Sequence, residues 1–251
     1  MTPPEASPLP ADEAGDKPRQ RIGDNVAVVR ARIAAACRQA GRDPDEVRLV
    51  AVTKYVDAVT TATVLAAGCQ DLAESRPQSI WEKADLLATA APPPRWHLIG
   101  HLQRNKIRRT LPLLTMLESL DSLRLLEAIA AEAVRQAVVC SVLVEVNLTD
   151  DPGRSGAAID DVPALVAAAA STRQIQLLGL MGMAGHPDAA DADPRRDFAR
   201  LRKLRDALTE SVADPEMLRE LSMGMSGDFE AAILEGSTIV RVGSALFEGS
   251  G

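Results

Sequence analysis

Eight short apolar runs recur along the chain, and helical periodicity fills the stretches between them. The runs are Arg48–Lys54 (apolar over Leu49–Val52), Cys69–Ala73, Trp96–Ile99, Leu114–Ser119, Val138–Leu148, Ile175–Met181, Leu218–Met223 and Thr238–Val242. Apolar runs of this length, rich in β-branched residues and bounded by polar ones, predict strands buried on both faces. The intervening stretches predict helices. One runs from Asp57 to Ala67 and closes at Gly68, and the next begins at Pro77 and carries Ile80, Trp81, Ala84 and Leu87. A third extends from Leu102 towards Pro112, and a fourth after Asp121 carries Leu125, Ile129 and Ala133. Further helices start near Ile159, show Phe198, Leu201, Leu204 and Leu208, and span Asp228–Leu234. Pro92-Pro93-Pro94, Gly100 and Asp150-Asp151-Pro152-Gly153 punctuate the pattern as turns.

Strict alternation of strand and helix predicts parallel strands joined by right-handed crossovers. Eight such strands predict an α/β fold of the closed (β/α)8, TIM-type barrel kind. An open doubly wound sheet is the alternative, but no Gly-x-Gly-x-x-Gly follows the first strand. The eighth helix is missing, because only Leu246–Gly251 follow the last strand. A helix capped by Asp24, with Val26, Val29, Ile33 and Cys37 on one face and Gly41 at its end, is available for that gap. Residues 1–22, rich in Pro, Ala and charge, are expected to be a disordered tail. Residues 23–251 then form one barrel domain with no second β-domain.

Composition narrows the function. Hydrophobic residues make up 46% of the chain but aromatics only 2%, so aliphatic side chains must fill the core. A net charge of −7 disfavours nucleic-acid binding, which needs a cationic surface. Cys37, Cys69 and Cys140 lie far apart in apolar settings without metal-ligand spacing, so buried reduced thiols are expected. No apolar run approaches the ~20 residues that span a bilayer. No secretory signal is recognisable, and a cytoplasmic protein is expected.

The first strand ends in Lys54. Ligand sites of parallel barrels lie at the C-terminal strand ends, so this amine is expected in a partly desolvated mouth, where it can attack an aldehyde. A strand-end lysine can equally point to water. Two phosphate-binding candidates close the chain: Ser222-Met223-Gly224-Met225-Ser226-Gly227-Asp228 and Arg241-Val242-Gly243-Ser244. Small residues allow close backbone approach, a helix follows directly, and the loops after strands seven and eight are frequent phosphate sites in barrels. Arg241 interrupts an apolar run, so it must find a partner: a cofactor group, or an ion pair with Glu145 or Glu74. His97 and His101 straddle a strand end, a spacing unsuited to a metal, and no metal site is expected. Arg104, Lys106, Arg108 and Arg109 predict a solvated helix face. The methionines 181, 183, 223 and 225 fit a cofactor pocket or plain core packing.

Leu49–Lys54, Trp96-His97-Leu98-Ile99-Gly100-His101-Leu102-Gln103 with Asn105-Lys106, Gly179-Leu180-Met181, Leu221–Ser226 with Asp228, and Arg241-Val242-Gly243 resemble the YggS/PROSC family of pyridoxal phosphate homeostasis proteins. The resemblance runs in order from about residue 24 to 248, and that family is similar to the barrel domain of alanine racemase. It implies a single barrel with pyridoxal 5'-phosphate (PLP) held on Lys54 as a Schiff base, an internal aldimine. It also implies phosphate contacts from Ser226, Gly243 and Ser244, with Met223 and Arg241 as neighbours. Two places depart from the pattern. Ala73-Glu74-Ser75-Arg76 stands where the family has Gly-Glu-Asn-Tyr, which leaves Ser75 to make a shorter contact than asparagine. Arg154-Ser155-Gly156 stands where a lysine precedes Ser-Gly, so charge is kept but a second amine is not.

The resemblance implies a carrier that buffers or delivers PLP, with PLP-dependent apoenzymes as acceptors, without established turnover. The rival is a PLP-dependent racemase or decarboxylase. A two-base racemase of this fold is expected to draw its second base, a tyrosine, from a separate β-domain. The single tyrosine here is Tyr55, which strand alternation aims away from Lys54. A cofactor-free interaction module is the third possibility. A monomer is expected.

Overall fold

The structure is a computed structural model that describes residues 13–149, 151, 153–185 and 193–250. Residues 1–12 of the expected tail, and Asp150 and Pro152 of the expected turn, lie outside these.

Eight parallel strands close a barrel in chain order. They are β1 Arg48–Val52, β2 Asp71–Glu74, β3 Arg95–Leu98, β4 Leu114–Leu120, β5 Cys140–Val146, β6 Ile175–Gly182, β7 Glu220–Ser222 and β8 Ile239–Val242. The ring closes where β8 pairs with β1, with Arg48 opposite Ile239 and Ala51 opposite Val242. All eight sequence-predicted strands are present, because burial on both faces makes them near-continuous apolar runs. The register shifts at Trp96/His97 and at Val142/Leu143, so side-chain parity is not uniform around the ring.

The helices follow their caps. α2 Ala58–Ala66 starts at Asp57, whose carboxylate accepts the Thr60 N–H at 2.8 Å. α3 Pro77–Leu86 and α7 Pro194–Thr209 each place proline in the first turn. α5 Leu123–Gln136 is capped by Ser122. α6 Val162–Ser171 and α8 Phe229–Leu234 complete the regular set. The segment after β3 is shorter than expected: a 3-10 turn at Arg104–Lys106, then α4 Ile107–Thr110, then a 3-10 turn at Leu111–Leu113. Pro112 has no N–H to continue an α-helix there.

The N-terminal helix, α1, runs Glu13–Gln39. It therefore corrects the expected tail over residues 13–22, and Asp24 lies inside it instead of capping it. Ile22 is buried, continuing the face of Val26, Val29, Ile33, Ala36 and Cys37, and the helix includes Pro18 in the exposed stretch ahead of that face. α1 packs against α2, α8 and the terminal turn α9 Ser244–Phe247, which places it in the eighth position of the outer ring.

The core has two layers. The larger lies between strands and helices, and the smaller fills the barrel with Val50, Ala73, Met116, Leu143, Leu178, Met181 and Ile239. The three cysteines are buried and unpaired, and burial pushes the Cys140 thiol up to about 12. No helix among the described residues is long and apolar enough to cross a membrane.

Candidate functional site

The C-terminal ends of β1, β7 and β8 meet at one mouth of the barrel. β1 ends at Val52, so Lys54 lies in the turn beyond it. Val50 lies in the interior cluster and Val52 packs against it, so the strand that leads to Lys54 ends facing the barrel interior. The turn is pinned from outside the barrel. Lys83 of α3 donates to the Thr53 carbonyl at 2.7 Å and to Glu74 Oε1 at 2.6 Å, and the Thr53 hydroxyl donates to the same Oε1 at 2.7 Å. Lys54 itself is exposed, not partly desolvated as expected, and its Nζ sits 4.9 Å from the centre of the Tyr55 ring. Alternation fails for Tyr55 because the strand has already ended; the ring is 89% exposed beside the amine.

Beside this turn, the loop after β7 bends back over β8. Gly224 carries a φ of +96°, and a Cβ there would meet Ala232 at 2.6 Å, so only glycine fits. Its carbonyl accepts the Arg241 N–H at 2.9 Å. Asp228 closes the loop by accepting the Met225 N–H at 2.6 Å, and burial raises its pKa. The Ser226 hydroxyl oxygen then accepts two backbone donors, Gly243 N–H at 3.2 Å and Ala245 N–H at 3.3 Å. Gly243 is 3.4 Å, measured from an added Cβ, from Val52. The donor pair thus lies against the strand that leads to Lys54. Two converging N–H groups next to a hydroxyl form a set suited to a phosphate oxygen.

Below the mouth runs a buried chain of charges. Arg241 is 3% exposed; it donates to the Ser222 hydroxyl and, at 3.1 Å, to the Gly182 carbonyl. Ser222 in turn donates to Glu118, whose Oε2 lies 3.8 Å from the guanidinium. Glu118 Oε1 accepts from His97 Nδ1 at 2.6 Å, and Asp71 Oδ1 accepts from His97 Nε2 at 3.2 Å. Asp71 also forms a two-point pair with Arg95. A histidine that donates from both ring nitrogens is an imidazolium. Burial works against its charge, but the bonds from Asp71 and Glu118 prevail and raise its pKa. Burial also opposes the Asp71 charge, yet His97 and Arg95 hold its pKa down to about 2. Glu145, bonded by Ser155, is raised by burial.

The sequence-predicted residues divide accordingly. Lys54, Ser226, Gly243 and Ser244 gather at this mouth, and Arg241 lies buried below it. Ser75 follows β2 at the same end, its backbone pressed against Gly100. Met223 is corrected: Ser222 faces inward, so Met223 faces outward and is buried in the strand–helix layer. Arg241 is partnered through Ser222 and Glu118, not by an ion pair with Glu145 or Glu74. His97, Glu118 and Ser222 were missed as a unit. The available signal was a set of ionisable residues embedded in three apolar runs. His101 is exposed, 3.6 Å from Asp121. Arg104, Arg108 and Arg109 are exposed, and Arg109 stacks on Trp81 at 4.4 Å. Among the described residues there is no group of three or more His, Cys, Asp or Glu that could hold a metal.

Comparison with known proteins gives the arrangement a context. The family model "Alanine racemase, N-terminal domain" matches residues 24–251. The pyridoxal phosphate homeostasis protein of Pseudomonas aeruginosa is 38% identical over 227 residues, covering 90% of this chain and 94% of that one. A solved structure of an unknown protein from Bifidobacterium adolescentis superposes with a TM-score of 0.85 at 38% identity, covering 96% of this chain and 98% of its own. PipY of Synechococcus elongatus, solved with PLP bound, superposes with a TM-score of 0.79 at 30% identity, covering 90% and 99%. The chain therefore belongs to the alanine racemase N-terminal domain family, among the relatives named pyridoxal phosphate homeostasis proteins.

Proposed function

We propose that this protein binds pyridoxal 5'-phosphate through Lys54 and buffers it or delivers it to apoenzymes, without turning over a substrate of its own. The observation that carries the reading is the convergence of the Gly243 and Ala245 N–H groups on one oxygen, against the strand that leads to Lys54. With PLP bound, those two donors, released from the Ser226 oxygen, and the Ser226 hydroxyl would hold the phosphate, and Arg241 would supply a fixed positive charge below the mouth. Ser75 and Ser244 border the same opening. The cofactor supplies an aldehyde that condenses with amines and a ring that withdraws electrons. Lys54 supplies the amine, and its exposure leaves it reachable by an arriving ligand. The names of the relatives denote homeostasis, not an enzyme, and the PLP-bound PipY has the same fold. We propose further that the protein is a cytoplasmic monomer that binds neither nucleic acid nor membrane.

The test is direct. Purified protein mixed with PLP develops an absorbance band at about 420 nm. Borohydride reduction followed by peptide mapping places the adduct on the peptide containing Lys54, and Lys54→Ala lacks the band. No band in the wild type, or an adduct elsewhere, overturns the reading. Loaded protein incubated with L-amino acids is expected to release neither D-enantiomers nor amines.

A further inference from the structure

We propose that His97 is a positioning residue for the cofactor site: held between Asp71 and Glu118, it fixes the carboxylate that, with Ser222, anchors the Arg241 guanidinium below the mouth. The proposal rests on the reading above. Its ground is geometric. Asp71, His97, Glu118, Ser222 and Arg241 come from β2, β3, β4, β7 and β8, and hydrogen bonds join them in one line across the barrel interior. All five are buried, His97, Glu118 and Ser222 completely. Those three, at the centre of the line, are wholly enclosed, so a change at one is felt by the next. Glu118 is the pivot: one oxygen faces His97, and the other faces Ser222 and Arg241.

Charged groups face this line at both ends. Arg95 bonds Asp71 at the floor, where Arg48, Arg219 and Glu220 line the same cavity, while Glu145 and Asp228 face Arg241 at the other end. If His97 loses its proton, one of its two carboxylates loses a donor. Glu118 then depends more heavily on Ser222 and Arg241, and the guanidinium is drawn down, away from a ligand. Cofactor affinity is thus tied to the protonation of a side chain that does not touch the cofactor.

The experiment is a double-mutant cycle in PLP affinity, with His97→Gln, Arg241→Gln and both together, read across pH. His97→Gln is expected to weaken PLP binding about tenfold. In the Arg241→Gln background it is expected to add nothing, because the line then ends before the mouth. Wild-type affinity is expected to fall with rising pH more steeply than that of His97→Gln. Equal affinities at every pH, or additive losses, overturn the proposal. Should His97→Gln fail to fold, the wild type decides by imidazole NMR, which is tractable in a chain with three histidines. By reciprocity, PLP must raise the pKa of the buried imidazole; a titration indifferent to PLP overturns the proposal. Absence of PLP binding by the wild type is a different failure, because it removes the cofactor reading itself and this inference with it.

Discussion

Lys83 and Glu74 show what a single buried pair can hold in place. The Lys83 ammonium is bonded to Glu74 and to the carbonyl of Thr53, the residue before Lys54, and both side chains are almost fully enclosed. Among the described residues, Glu74 Oε2 has no partner, so the carboxylate relies on its other oxygen. Lys83→Met should cost about 3–5 kcal/mol, because it strands a buried carboxylate; urea unfolding of the variant measures it. The same residue scale shows what a sequence can convey. Lys54, Arg241 and Gly243 were legible because each ends or interrupts an apolar run, so chain position alone assigns it to the mouth. Exposure at Lys54 was not legible, because the strand stops two residues early. The line from Asp71 to Arg241 was not legible either. Its partners face one another across the ring, and which strands' side chains share a level depends on the register shifts at His97 and Leu143.

At the scale of elements, packing decided where local preference was silent. The strands declared themselves through burial on both faces, and most helices through caps such as Asp57. α1 begins earlier than its pattern suggests; Ile22 extends its buried face, while residues 17–21 ahead of it are exposed. Its stability comes from that face, since a long helix with few tertiary contacts is marginal in water. Ile33 is 4% exposed, and Ile33→Ala should cost about 2–4 kcal/mol, seen as a lower midpoint in chemical denaturation. An α1 that served only as a flexible leader would leave the midpoint unchanged.

At the scale of the whole molecule, the buried charges tie stability to pH from both sides. Asp71 is held down to about 2, so its contribution is present above the ordinary value of 3.8 and fades as pH falls towards 2. That contribution is roughly 2 kcal/mol. His97 is raised, so its contribution is full below the ordinary value of 6.5 and is lost as pH climbs through the folded value. Denaturation midpoints measured across pH should show a plateau between these limits, and His97→Gln should flatten its alkaline side. The ring closure between β1 and β8 has a further consequence during synthesis. The last strand both completes the barrel and carries the arginine and amides of the mouth. A nascent chain must release every residue from β1 through β8 from the ribosome before either exists. Prematurely terminated products would therefore lack both a closed ring and the means to sequester a reactive aldehyde.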